Sequence, residues 1–171
     1  AWNASLALLA KKCQAVCFGS LAQRAPESRR TVREFLENTS ADCLRIFDVN
    51  LRQNFFSREV IESSLGFANV FKLNKDEVPV VADLLGLPTD EKAFVLAVAQ
   101  RFDLHTVALT RGSAGSLVWH KGAYDEKKAP KVAVVDTVGA GDSFTAALAI
   151  GLLRGEDLSR VHQRAVDVAA F

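Results

Sequence analysis

Asp136-Thr137-Val138-Gly139-Ala140-Gly141-Asp142-Ser143-Phe144 stands between an apolar, β-branched run, Lys131 to Val135, and a long helical pattern from Asp142 to Leu153. A strand that enters a helix through small residues is half of a βα unit. Small residues at 139 to 141 let the chain turn tightly and aim successive N–H groups at one point, where the helix adds the positive end of its dipole. The result is an anion hole. A carboxylate at the first helical position, Asp142, sits beside that hole and can take a proton from an alcohol while the N–H groups hold phosphoryl oxygens. Asp is also a common helix cap with no chemical duty, so the turn alone leaves both readings open.

Upstream, short apolar runs alternate with helical patterns, which predicts βαβ units and a mostly parallel sheet. Strands are expected at Ala15 to Gly19, Leu44 to Val49, Asn69 to Leu73 and Thr106 to Thr110. Each is short, mainly apolar and partly β-branched or aromatic, as a strand covered on both faces should be. Helices are expected at Pro26 to Asn38, Ser57 to Leu65, Asp76 to Leu85 and Asp90 to Phe102, with Pro26 in a first turn and Ser57 or Thr89 as caps. After Thr110 the pattern changes. Gly115 to His120 and Lys131 to Val135 read as an antiparallel hairpin joined by a charged stretch, and a last helix is expected from Leu158 onward. The expected architecture is α/β, a three-layer αβα sandwich with a mostly parallel central sheet and one antiparallel hairpin, built as one domain over residues 1–171.

Composition narrows the function. Apolar residues make up 49% of the chain and charged ones 24%, the balance of a globular domain with a core. Lys and Arg number 21 against 20 Asp and Glu, so there is no basic excess for nucleic acid or an anionic membrane. The longest apolar stretch, Ala146 to Leu153, is too short to span a bilayer. The N-terminus lacks a basic start and a small-residue cleavage site, so a cytoplasmic location is expected. Cys13, Cys17 and Cys43 lack the spacing of a redox pair or zinc site and read as buried, reduced thiols. His105, His120 and His162 are scattered and read as structural. The chain has no Met, even at position 1, which suits a piece of a longer protein.

Three further segments follow strand ends. In Thr110-Arg111-Gly112-Ser113-Ala114-Gly115 the glycines suit backbone lying against a phosphate, or else an ordinary hairpin turn. Asn74-Lys75-Asp76-Glu77 offers one amide and one carboxylate, enough to steady a hydrated Mg²⁺ beside phosphates, or else to cap a helix. Asp48-Val49-Asn50-Leu51-Arg52 lies just past a parallel strand's carboxyl end, in the crevice where α/β proteins bind ligands.

Taken together in this order, the four segments resemble the signatures of the ribokinase-like (PfkB) carbohydrate kinase family, and the match spans residues 48 to 148. The resemblance implies ATP-dependent phosphorylation of a sugar's primary hydroxyl. It gives Asp142 the role of general base, with Gly139, Ala140 and Gly141 as the anion hole. Thr110, Arg111, Gly112, Gly115 and Gly141 would meet the nucleotide, and Asn74 and Glu77 would hold Mg²⁺ through water. Asp48, Asn50 and Arg52, together with Asp142, would face the sugar. Asp136 and Val138 would supply part of a monovalent-cation site, for which K⁺ is the candidate, and adenine contacts would fall near Asp167 and Val168. The Asp-x-Asn-x-Arg segment and Gly19-Ser20-Leu21-Ala22-Gln23-Arg24 look most like fructokinases, with ribose, 2-keto-3-deoxygluconate or a nucleoside as alternatives. Family members are longer, so the N-terminal strands and a small lid are expected to be missing here, and a homodimer is expected to form through that lid. Two other classes remain at this level. One is a nucleotide-binding pseudokinase, against which the presence of Asp142 argues. The other is a Gly-Asp-Ser esterase with Ser143 as nucleophile, whose later Asp-x-x-His pair is not matched, since His162 has Ser159 where the Asp should stand.

Overall fold

A computed structural model describes residues 1–130 and 139–170. The chain opens with helix α1 (Ala4–Lys12) and strand β1 (Ala15–Phe18). Next come α2 (Pro26–Glu37), β2 (Leu44–Asp48), α3 (Arg58–Phe67), β3 (Val70–Asn74), α4 (Val78–Leu85), α5 (Glu91–Arg101) and β4 (Thr106–Thr110). The remainder is β5 (Ser116–His120), β6 (Ala123–Lys127), α6 (Ala140–Leu153) and α7 (Leu158–Ala169). Among the described residues the strands form one sheet in the order β1-β2-β3-β4-β5-β6. The first four run parallel, and β5 and β6 turn back antiparallel.

Period-two alternation in the strands builds two cores. Phe47, Phe71, Val107, Leu109 and Leu117 point to one face, where helices α2 to α5 supply Leu36, Ile61, Leu65, Val81 and Phe94. Phe18, Phe47 and Phe71 stack across three strands there, with centroids 5.4 and 5.7 Å apart. Ile46, Val70, Ala108 and Val118 point to the other face, against Phe144 and Leu148 of α6 and Val161 and Ala165 of α7. Burying each such large side chain contributes about 1.5–3 kcal/mol, and covering both faces makes the three layers αβα.

Helix ends follow local chemistry. Ser57 accepts from the Val60 N–H and Pro26 opens α2, as expected. Asp90, not Thr89, caps α5 by accepting from the Ala93 N–H.

Three expectations change. The hairpin partner of β5 is β6, drawn from the charged stretch itself, with Lys121 and Gly122 at the bend, both at positive φ. The expected partner, Lys131 to Val135, lies outside the described residues, as do Asp136, Thr137 and Val138. Helix α6 starts at Ala140, so Asp142 is its third residue and not its first. Cys17 is exposed, whereas Cys43 is buried with its Sγ 3.6 Å from that of half-buried Cys13.

Candidate active site

The parallel strands all end at one edge of the sheet, where register sets the end of β2 beside the middle of β3 and the end of β3 beside the end of β4. Asp48 pairs with Lys72, and Asn74 with Thr110. The Lys75 N–H donates to the Thr110 carbonyl at 2.9 Å, which joins two of the sequence motifs directly. The first turn of α6 lies over this edge, because the face carrying Asp48 and Lys72 is the one that α6 covers.

Gly139 caps α6 in the left-handed region, at φ 82°, and no side chain caps the helix. The first intrahelical bond runs from the Ser143 N–H to the Gly139 carbonyl at 2.8 Å. N–H groups ahead of Ser143 therefore have no acceptor within the helix, as in any open first turn, and the dipole adds its positive end. Asp142 is exposed beside them. Its charge reaches Asp48 and helps to push that carboxyl upward, with burial the larger cause.

Under that turn lies a buried charge pair. Lys72 Nζ is 3.1 Å from Asp48 Oδ1 and 3.0 Å from Oδ2. Thr145 Oγ1 lies 3.2 Å from Asp48 Oδ2 and 2.9 Å from the Gly141 carbonyl, so its one proton serves one acceptor at a time. Asp48 thus holds the site together through Lys72 and Thr145, and these partners leave its expected contact with substrate without support. Asn50, at φ 39°, and Arg52 are exposed just beyond it.

Asn74 and Glu77 form a reciprocal cap. Asn74 Oδ1 accepts from the N–H groups of Asp76 and Glu77, and Glu77 Oε2 accepts from the Asn74 N–H at 2.8 Å. Glu77 Oε1 accepts from the Leu51 N–H at 2.8 Å and so ties the loop after β2 to β3. Burial pushes the Glu77 carboxyl up, and those two N–H groups pull it back. Among the described residues no three His, Cys, Asp or Glu side chains converge on a metal-sized point. With Asn74 Oδ1 and both Glu77 oxygens already accepting backbone N–H groups, a Mg²⁺ would be reached here only through its waters and phosphate oxygens.

The turn after β4 is closed by Arg111 N–H to the Gly115 carbonyl at 2.8 Å, and Gly112 stands open to solvent at φ 58°. Arg111, expected at the nucleotide, turns elsewhere. Its guanidinium binds Glu91 at 2.7 Å and Glu126 at 3.1 Å, linking α5 to β6. Asp167 and Val168 are exposed on α7.

His162 is fully buried, with Nε2 2.7 Å from Ser116 Oγ and Nδ1 2.7 Å from Asp125 Oδ2. Both ring nitrogens are committed, so none is left for Ser143, and the esterase arrangement is absent. Ser116 is itself only 2% exposed and meets no substrate. Burial holds the imidazole below its ordinary 6.5, with Asp125 opposing the shift. The unfolded chain therefore takes up this proton first as pH falls. The stability that neutral His162 provides is whole above about 6.5 and is lost as pH drops through the lower folded value. Denaturant midpoints measured from pH 8 to pH 5 should fall in the wild type, and His162→Gln should flatten that dependence.

Lys72 lies in none of the four motifs, and Thr145, although inside the stretch that follows Asp142, was given no role there. A single Lys inside Val70-Phe71-Lys72-Leu73, opposite an Asp ending the neighbouring strand, was the available signal.

Among the described residues no helix is long and apolar enough to cross a membrane. The carbohydrate-kinase profile described as the pfkB family matches residues 5–171. A 2-dehydro-3-deoxygalactonokinase of Haloferax volcanii is 32% identical over 133 residues, covering 75% of this chain and 41% of that protein. A fructokinase of Salmonella typhimurium is 31% identical over 140 residues, covering 78% of this chain and 44% of that one. The crystal structure of an uncharacterized sugar kinase from Pyrococcus horikoshii in complex with ATP superposes with a TM-score of 0.77 at 28% identity, over 94% of this chain and 51% of that one. The chain spans about half the length of the relatives it matches. With the profile running over residues 5–171 and both curated kinases above 30% identity, the chain belongs to the pfkB family of carbohydrate kinases.

Proposed function

We propose that the full-length protein transfers the γ-phosphoryl group of ATP to a primary hydroxyl of a sugar, with fructose as the preferred acceptor. The observation that carries this reading is Asp142, an exposed carboxylate in the uncapped first turn of α6, beside N–H groups free of helical partners. Asp142 takes the hydroxyl proton as the oxygen attacks in line. Amides of the Gly139–Gly141 turn hold the charge that develops on the phosphoryl oxygens. Backbone at the open Gly112 lies against the nucleotide phosphates. Asn74 and Glu77 would hold Mg²⁺ through its waters, and the ion supplies charge neutralisation on the phosphates.

Fructose is favoured by Asp48-Val49-Asn50-Leu51-Arg52 and by likeness to fructokinases. A second acceptor class, 2-keto-3-deoxy sugar acids, is favoured by the exposed Arg52, whose guanidinium suits a substrate carboxylate, and by the likeness to the Haloferax enzyme. Full-length protein assayed with ATP against fructose, ribose, 2-keto-3-deoxygluconate and nucleosides should give its highest kcat/KM with fructose. A higher value for the keto acid would move the assignment to that class. ATP binding without transfer to any of them would overturn the kinase reading in favour of a nucleotide-binding pseudokinase.

A further inference from the structure

Lys72 is 7% exposed in the middle of β3, on the sheet face covered by α6. Taking an ammonium and a carboxylate out of water costs several kcal/mol per ion, and well-packed apolar residues in place of such a pair are often neutral or stabilising. Stability is therefore a weak reason for Lys72 and Asp48 to face each other here. Helix electrostatics are no better a reason, since a cation beneath a helix N-terminus opposes the dipole.

Geometry supplies one. A Cβ on Gly141 would lie 3.1 Å from Lys72 Nζ and 4.0 Å from its Cε, so the backbone of the turn rests directly on the ammonium. One helical turn on, on the same face, the Thr145 hydroxyl reaches the Asp48 carboxylate that clamps Lys72. The first turn of α6 is thus seated at two points on one buried ion pair, and Asp142 follows directly after the first of them. Lys72 also draws down the Asp48 and Glu77 carboxyls against their burial, so this one cation serves both buried acids at the strand ends.

We propose that Lys72 is a positioning residue for phosphoryl transfer: its ammonium, clamped by Asp48, is the floor that seats the Gly141–Asp142 turn and so fixes where the Asp142 carboxylate points. The inference rests on Asp142 being the general base. It adds a residue whose side chain need touch neither substrate.

The test is a double-mutant cycle in the full-length protein. Lys72→Met keeps an apolar stem and vacates the Nζ position. It should lower kcat roughly ten- to a hundredfold, the scale of a misplaced catalytic group. The KM for ATP should stay within about threefold, because the glycine turn after β4 does not lean on Lys72. In an Asp142→Asn background the same change should lower the residual kcat by less than about twofold, since residues that act as one unit are non-additive. A general structural lesion would instead cost the same factor in both backgrounds, and that outcome, or an unchanged kcat in Lys72→Met, would overturn the proposal. If Lys72→Met fails to fold because Asp48 is left alone, Asp48→Asn/Lys72→Met removes both charges and takes its place in the cycle, with the same expectations and the same refuting outcomes. Near-normal turnover in Asp142→Asn itself would sink the function reading and not merely this refinement of it.

Discussion

Asn in place of Asp142 should lower the kcat of the full-length protein roughly a hundredfold or more, with ATP binding nearly unchanged. The two side chains are matched in shape, so what is lost is the ability to take a proton. Position 142 is exposed, and removing an acid from the first turn of a helix costs only about 0.3–1 kcal/mol through the dipole. A hundredfold fall in rate corresponds to about 2.7 kcal/mol of barrier. Unfolding therefore cannot account for the loss, and a thermal melt should show a midpoint close to that of the wild type. Turnover measured at saturating ATP and sugar, beside ATP titration by calorimetry, separates the outcomes. If the variant turned over at more than a tenth of the wild-type rate, Asp142 would be a helix-start acid and nothing more.

Gly115→Ala should be the most damaging single-methyl change in the turn after β4. Its backbone sits at φ 99° and ψ −141°, a region that side chains rarely enter, and a Cβ would fall 2.0 Å from the Lys127 carbonyl oxygen. Such backbone strain costs about 1–3 kcal/mol, and forcing an extra carbon into a packed contact adds about 1–3 kcal/mol. We expect a loss of about 3 kcal/mol or more, read from the denaturant midpoint at constant m-value. Gly112→Ala serves as the internal comparison, because its φ is also positive but nothing lies within 4 Å of the added carbon. Equal midpoints for the two variants would mean that β6 does not press on the turn as described.

What could be read from the residues alone follows from where their side chains go. Strands β2, β3 and β4 are largely buried on both faces, so their apolar residues cluster in short runs, broken only by Arg45 and Lys72 before their polar ends, and they are legible to within a residue or two. Strand β6 was missed for the opposite reason. Its residues Ala123-Tyr124-Asp125-Glu126-Lys127 face solvent along much of their length, and an exposed strand of charged residues has the composition of a loop. Helix α1 escaped notice because Leu8 and Leu9 remain more than half exposed, which blurs the apolar stripe that marks a helix. At the site, the glycine turns and the Asn74–Glu77 cap follow from local backbone chemistry and were visible. Long side chains were less so. Arg111 reaches Glu91 and Glu126 across three elements, and Lys72 reaches Asp48 across a strand pair, choices that sequence spacing does not encode.

The Ser116–His162–Asp125 chain has a consequence for motion. One ring bridges neighbouring strands β5 and β6 to α7, and a buried ring cannot release one partner without exposing the others' polar atoms. These three elements should then breathe as a single cooperative block. Because Ser116 directly follows Gly115, the turn after β4 inherits the stiffness of that block. A loop that would otherwise drift on its own is thereby held in place.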